Sequence, residues 1–179
     1  VDMRPEDAAR LHLKPADMVR LSNACGSAIL RLRESSEVQP GTLFAPMHWT
    51  GETAPSARVD ALVPGHVDPG SGQPESKAAV AAVTRFDAAW YGFAVSAAPM
   101  SPVADYWALA RTTTGYRMEL AGRTPVDNWE AAARQLFQAS EAEAMTVIDT
   151  ARGTARVALF DQGRLIGALF VAPDPVAVM

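Results

Sequence analysis

The sequence predicts a mainly β chain: a β-rich first part followed by a small α+β region. Three observations carry this. Ala28, Leu30 and Leu32 alternate with Ser27, Arg31 and Arg33, the period of a half-buried strand, with Ile29 as the one break. Two apolar runs from Val157 to Val171 flank Asp161-Gln162-Gly163, a hairpin signal. The clearest helical period is confined to Asp127–Ala139, where Trp129, Ala132, Ala133, Leu136 and Phe137 share one face.

Taken in order, Met3–Leu11 reads as a short helix. Pro5 suits its first position, where no N–H is needed, and Glu6 and Asp7 suit the positive end of its dipole. Lys14–Asp17 is a turn, Met18–Ser22 a strand, Asn23–Gly26 a turn and Ser27–Arg33 a strand. Pro40-Gly41 signals a turn, after which Leu43-Phe44-Ala45 begins another strand. Pro46–Lys77 differs in kind. It holds Pro46, Pro55, Pro64, Pro69, Pro74, Gly51, Gly65, Gly70 and Gly72, and no long period runs through it. Such a segment is usually functional or disordered, and His48, Trp49, His66 and Lys77 favour function. Ala78–Val83 reads as a small strand and Thr84–Ala88 as a boundary. The domains expected are therefore residues 1–84 and 85–179. In the second, Trp90–Val95 is a strand, and Tyr106–Ala110 pairs with Tyr116–Leu120. Asp127 caps the helix, with Glu130 three residues on as in a capping box.

The 179 residues are 49% hydrophobic and 20% charged, which excludes wholesale disorder. A net charge of −4 argues against a nucleic-acid surface. The longest uncharged stretch, Ala88–Ala104, contains Pro99 and Pro102 and is too short and broken to span a membrane. No basic segment precedes an apolar run, so no signal peptide is expected, and a first residue Val1 reads as the start of an excised piece. The lone Cys25 excludes a disulfide framework or iron–sulfur site built from this chain alone. As a nucleophile it needs a base, and no recognised spacing links it to His12, His48 or His66, so it reads as a turn cysteine. Those histidines also lack metal-ligand spacing. Gly70-Ser71-Gly72 completes neither a Walker motif nor GxGxxG, yet the polar loop Asp68–Lys77 ends in a lysine able to meet a phosphate. A solvated loop is the other reading. Met47-His48-Trp49 suits stacking on a planar ligand, or else a cluster at the core edge. Glu119, Glu130, Glu141, Glu143 and Asp149 read as a solvated face rather than a catalytic pair. These residues by themselves name no activity.

The order of the segments is more specific than any one of them. "RPEDAARLHLKPADMVRLSNACGSAILRLRESSEVQPGTLFAPMHW", then "RVDALV" and "DPGSGQPESK", resembles the C-terminal molybdopterin-dinucleotide-binding domain of the molybdenum oxidoreductases. "WYGFAVS", "ADYWALARTTTGYRMELAG" and "GRLIGALFVAPDP" resemble, more narrowly, bacterial assimilatory nitrate reductases. The resemblance implies a double-psi β-barrel over residues 1–84, missing its first strand, which holds molybdopterin guanine dinucleotide. It implies His48, Asp60, Gln73 and Lys77 as cofactor-binding residues, and Met47 and Trp49 at the substrate funnel. Asp60 stands where the family has a cofactor-contacting asparagine; a carboxylate cannot donate as an amide does and repels a pyrophosphate. Ser76 stands where the family usually has an aromatic residue. No catalytic residue and no metal ligand is expected here: molybdenum and the iron–sulfur cluster belong to sequence outside this chain.

The implied activity is two-electron reduction of nitrate to nitrite by the whole enzyme, with this piece inactive alone. The alternatives are the same domain of another molybdopterin oxidoreductase, such as a formate dehydrogenase, or a non-catalytic double-psi barrel binding module. The implied partners are the dinucleotide, the remainder of the nitrate reductase polypeptide and an electron-donor protein or domain. The final hairpin reads as a structural or docking element. No nucleic acid or membrane partner is expected, and the compartment is the cytoplasm.

Overall fold

Met3 is a strand residue. The strand β1 (Asp2–Met3) pairs in parallel with β4 (Arg33–Glu34) and antiparallel with β5 (Leu43–Phe44). The helix predicted from Met3 therefore begins later, as α1 (Pro5–Arg10), with Pro5 in its first turn. It ends where His12 turns left-handed at φ 55°. There Leu13 N–H donates to Ala8 C=O at 2.9 Å and His12 N–H to Ala9 C=O at 3.1 Å, a Schellman closure that satisfies the last carbonyls.

In this computed structural model residues 1–175 are described, and the chain divides into two compact units, Val1–Asp87 and Ala88–Met179. Both are mainly β. In the first unit a second sheet has the order β3-β2-β6, formed by β2 (Met18–Ser22), β3 (Ser27–Arg31) and β6 (Ala82–Arg85). Two expectations need correction here. The run Ser27–Arg33 is broken at Leu32, whose N–H donates to Asp17 C=O (2.8 Å) and whose C=O accepts from Ala16 N–H (3.0 Å). The turn before β2 thus takes Leu32 out of the ladder. The strand expected at Ala78–Val83 lies at Ala82–Arg85, in register with Val19–Ser22, where Arg85 reaches the buried Asp17 at 3.2 Å. Two 3-10 turns, Pro55–Ala57 and Val59–Leu62, flank β3, and Ala28, Ile29 and Leu30 are all buried. Ile29 interrupts the alternation because this strand is covered more fully than a half-buried one. Both sheets of this unit have three strands, and none closes on itself among the described residues.

The second unit is a six-stranded antiparallel sheet, β10-β11-β12-β7-β9-β8. Its strands are β7 (Trp90–Ser96), β8 (Tyr106–Arg111), β9 (Tyr116–Gly122), β10 (Glu143–Asp149), β11 (Thr154–Asp161) and β12 (Arg164–Ala172). The hairpin β11–β12 turns on Gln162 (φ 48°) and Gly163 (φ 77°), the paired positive φ values of a two-residue turn. One helix, α2 (Trp129–Phe137), buries Ala133, Leu136 and Phe137 against β11 and β12, in a core with Met118, Val157, Leu159 and Leu169. Its cap is Asn128, not Asp127. Asn128 C=O accepts the first helical bond from Ala132, and its side chain accepts from Ala131 N–H at 2.9 Å. Glu130 makes no capping box; it pairs with Arg134 at 2.9 Å. The edge strand β10, unforeseen in the sequence, exposes Met145, Val147 and Ile148. No helix among the described residues is long and apolar enough to cross a membrane.

Candidate functional site

Three segments of the first unit carry the six residues singled out in the sequence. The first follows β5. Buried Asp7 accepts Gly41 N–H at 2.6 Å, in a turn where Gly41 adopts φ +71°. This ties α1 to the turn that launches β5. Beyond β5 the chain carries Met47 (48% exposed), His48 and Trp49 (40% exposed) outward, so they form no core-edge cluster.

The second segment is the Val59–Leu62 turn. Leu62 is buried and anchors it, while Asp60 is exposed. The turn lies close against the β2–β3 turn: a Cβ added to Gly26 would stand 2.6 Å from Ala61 O.

The third segment is the loop from His66 to Val80. Far from being a loose strip, it closes on itself. Glu75 N–H donates to His66 C=O at 3.0 Å, Val67 bridges Pro74, and Asp68 N–H donates to Gln73 C=O at 2.9 Å. Asp68 Oδ1 accepts Ser71 N–H at 2.7 Å, Ser71 Oγ–H at 2.8 Å and Gly70 N–H at 3.1 Å. The backbone bond from Ser71, then its hydroxyl and the Gly70 amide, hold the Asp68 carboxyl below the usual carboxylate range. The Gln73 side chain and Lys77 stay exposed.

Two residues that organise the site were missed in the sequence. Asp68 had a local signal, since Asp-Pro-Gly-Ser is an Asx-turn sequence. Asn23 had none. Its Nδ2 donates to Leu62 C=O at 2.7 Å and to Val80 C=O at 3.1 Å, and its Oδ1 accepts from Cys25 N–H (2.9 Å) and Gly26 N–H (3.2 Å). The Asp60 turn and the end of the Lys77 loop are thereby fastened to one side chain. Met47, His48 and Trp49 are carried by the other sheet.

Residues 1–80 match the family model described as the molydopterin dinucleotide binding domain. The chain is also similar to a nitrate reductase of Klebsiella oxytoca, 34% identical over 146 residues. That alignment covers 80% of this chain and 17% of the relative, so the chain spans a small part of the curated relative it matches.

The matched stretch, residues 1–80, includes all six residues, Met47, His48, Trp49, Asp60, Gln73 and Lys77. Their chemistry fits a molybdopterin dinucleotide. Lys77 supplies a cation for phosphate, and Gln73 and His48 supply donors. Asp60 accepts only, so it suits a donor-bearing edge of the ligand rather than its phosphates. Asp68 is directed into its own loop and its charge is satisfied there. Cys25 is exposed, and among the described residues no group of His, Cys, Asp or Glu converges to hold a metal.

Proposed function

We propose that this chain is the C-terminal cofactor-holding part of a molybdenum-dependent, assimilatory nitrate reductase of the cytoplasm. One observation carries the choice of nitrate: the 146-residue similarity to a nitrate reductase is longer than the 80-residue domain match, so it reaches into the second unit. In the complete enzyme nitrate takes up two electrons and two protons, and nitrite and water leave. Bound molybdopterin guanine dinucleotide, with its metal, supplies that redox chemistry, and the metal and cluster ligands lie in sequence outside this chain. The remaining polypeptide and an electron-donor protein or domain complete the assembly, and this part alone is inactive. The two three-stranded sheets of the first unit are read as the halves of a double-psi barrel, and the two domains, expected to part at residue 84, as the two units that part after β6 (Ala82–Arg85).

Within that reading each residue has a stated task. Lys77 neutralises phosphate charge. Gln73 and His48 donate hydrogen bonds to the dinucleotide. Asp60 accepts from guanine, whose amide N–H and amino group offer donors side by side. Met47 and Trp49, both exposed, give the funnel mouth an apolar wall.

Lys77→Ala in the complete polypeptide tests the reading. Losing one charge-assisted bond is expected to weaken cofactor retention about ten- to a hundredfold. The measurement is molybdenum and pterin content after gel filtration, and unchanged content counts against the reading. A substrate panel decides the reaction. Nitrate reduction with a reduced dye supports it, whereas formate oxidation without nitrate reduction assigns the domain to another molybdopterin oxidoreductase.

A further inference from the structure

The geometry points to Asn23 as the positioning residue of the dinucleotide site, an assignment that rests on the reading of Asp60 and Lys77 as cofactor contacts. A carboxamide has two N–H donors and an oxygen with two lone pairs. Asn23 uses all four. The acceptor side works locally, closing the β2–β3 turn through Cys25 and Gly26. The donor side works at long range. One N–H reaches Leu62, two residues beyond Asp60, and the other reaches Val80, three residues beyond Lys77. Leu62 is 39 residues from Asn23 in sequence and Val80 is 57.

Neither segment has a ladder of its own at these points. The Val59–Leu62 turn has no side-chain cap, and Val80 is 87% exposed and precedes β6. Burial of Leu62 anchors the Asp60 turn, and the Asn23 carboxamide bridges that turn to the end of the Lys77 loop. A dinucleotide held at two points needs the spacing between them held before it arrives, because ordering the loops on binding subtracts from affinity. Asn23 touches no ligand in this role; it acts through the two segments.

The two halves of the side chain separate the hypotheses. Asn23→Asp keeps both acceptors, and so the turn, but has no N–H for Leu62 or Val80. Asn23→Ala loses both halves. In the complete polypeptide, both variants are expected to release cofactor at least about tenfold faster than the parent, the loss of one to two hydrogen bonds. In the 179-residue chain, amide exchange at 60–63 and 78–81 is expected to rise in both. In Asn23→Asp the Cys25 and Gly26 amides stay protected. Asn128→Ala, which removes the comparable cap of α2 in the second unit, controls for general loss of stability and is expected to retain cofactor. Parent-like retention in Asn23→Asp, with Lys77→Ala still losing cofactor, overturns the assignment and leaves the site reading intact. If Lys77→Ala and Asp60→Ala both retain cofactor, the site reading itself fails, and this assignment with it.

Discussion

Gly26→Ala isolates the contact between the β2–β3 turn and the Asp60 turn. Gly26 has no positive φ, so alanine meets no backbone objection there. The obstacle is space: the new Cβ would lie 2.6 Å from Ala61 O, a backbone atom, where real Cβ atoms essentially never approach below 3.0 Å. The Val59–Leu62 turn has to retreat by about half an ångström. The Asn23–Leu62 bond, now 2.7 Å, would then stretch to the long limit for such a bond. Overpacking of this kind costs about 1–3 kcal/mol and the weakened bond adds up to about 1 kcal/mol. Removing a glycine from the unfolded chain returns about 0.4–1 kcal/mol. The net expectation is a loss of roughly 1–3 kcal/mol from the first unit, worked from these ranges. Two units need not unfold together, so the assay is amide exchange resolved by residue. Exchange in β2, the central strand of its sheet, should quicken by roughly five- to 150-fold. Exchange at Leu169 in the second unit should not change. Unchanged or slower exchange in β2 would refute the reasoning, because it would mean that the turn yields without loss.

Gly167→Ala should unfold the second unit at lower temperature, since its Cβ would meet the Phe137 ring at 2.6 to 2.9 Å. A loss of about 1–3 kcal/mol is expected, read as a lowered melting temperature by near-ultraviolet circular dichroism. Asp2→Asn tests an ion pair. The hydrogen bonds from Arg33, one of them at 2.8 Å, hold the Asp2 carboxyl below its ordinary value. A depressed native value adds stability above the unfolded value of about 4 and loses it as pH falls through the native one. The variant should therefore be less stable than the parent at about pH 7, with the gap closing in acid, in urea titrations across pH. Asp68→Ala should release the Gly70 and Ser71 amides, seen as severalfold faster exchange at those two positions; protection that survives would show that the loop is closed without its carboxylate.

What could be read from the sequence depended on how far away the deciding partner lies. Met18–Ser22 was legible to the residue because turn signals bracket it on both sides. The β11–β12 hairpin was legible because Gln162-Gly163 provides its turn locally. Two-residue β1 has no period to detect, and its partners lie at Arg33 and Phe44. Leu32 looks like one more strand residue until the Ala16–Asp17 turn takes its hydrogen bonds. Asp127 and Asn128 are equally good caps by type, and it is Asn128, extended at φ −134° and ψ 98°, whose side chain accepts from Ala131 N–H. In the site, Gln73 and Lys77 lie in a loop without periodicity, so only the ordered set of motifs pointed to them. Asn23 looked like one more turn asparagine, because its donors answer to residues far along the chain.

The β10 edge of the second unit's sheet bears on behaviour at high concentration. A seven-residue edge with Met145 and Val147 exposed is a template for polymerisation. Laid antiparallel on a second copy about Thr146, however, β10 sets Glu143 against Asp149 at both ends. Near neutral pH those carboxylates would disfavour that seam, an effect that Arg152, 3.7 Å from Asp149, reduces and that acid or high salt removes. The same strand that widens the sheet thus places a charge at each end of its exposed edge, so pairing of two such edges is expected to depend on pH and salt.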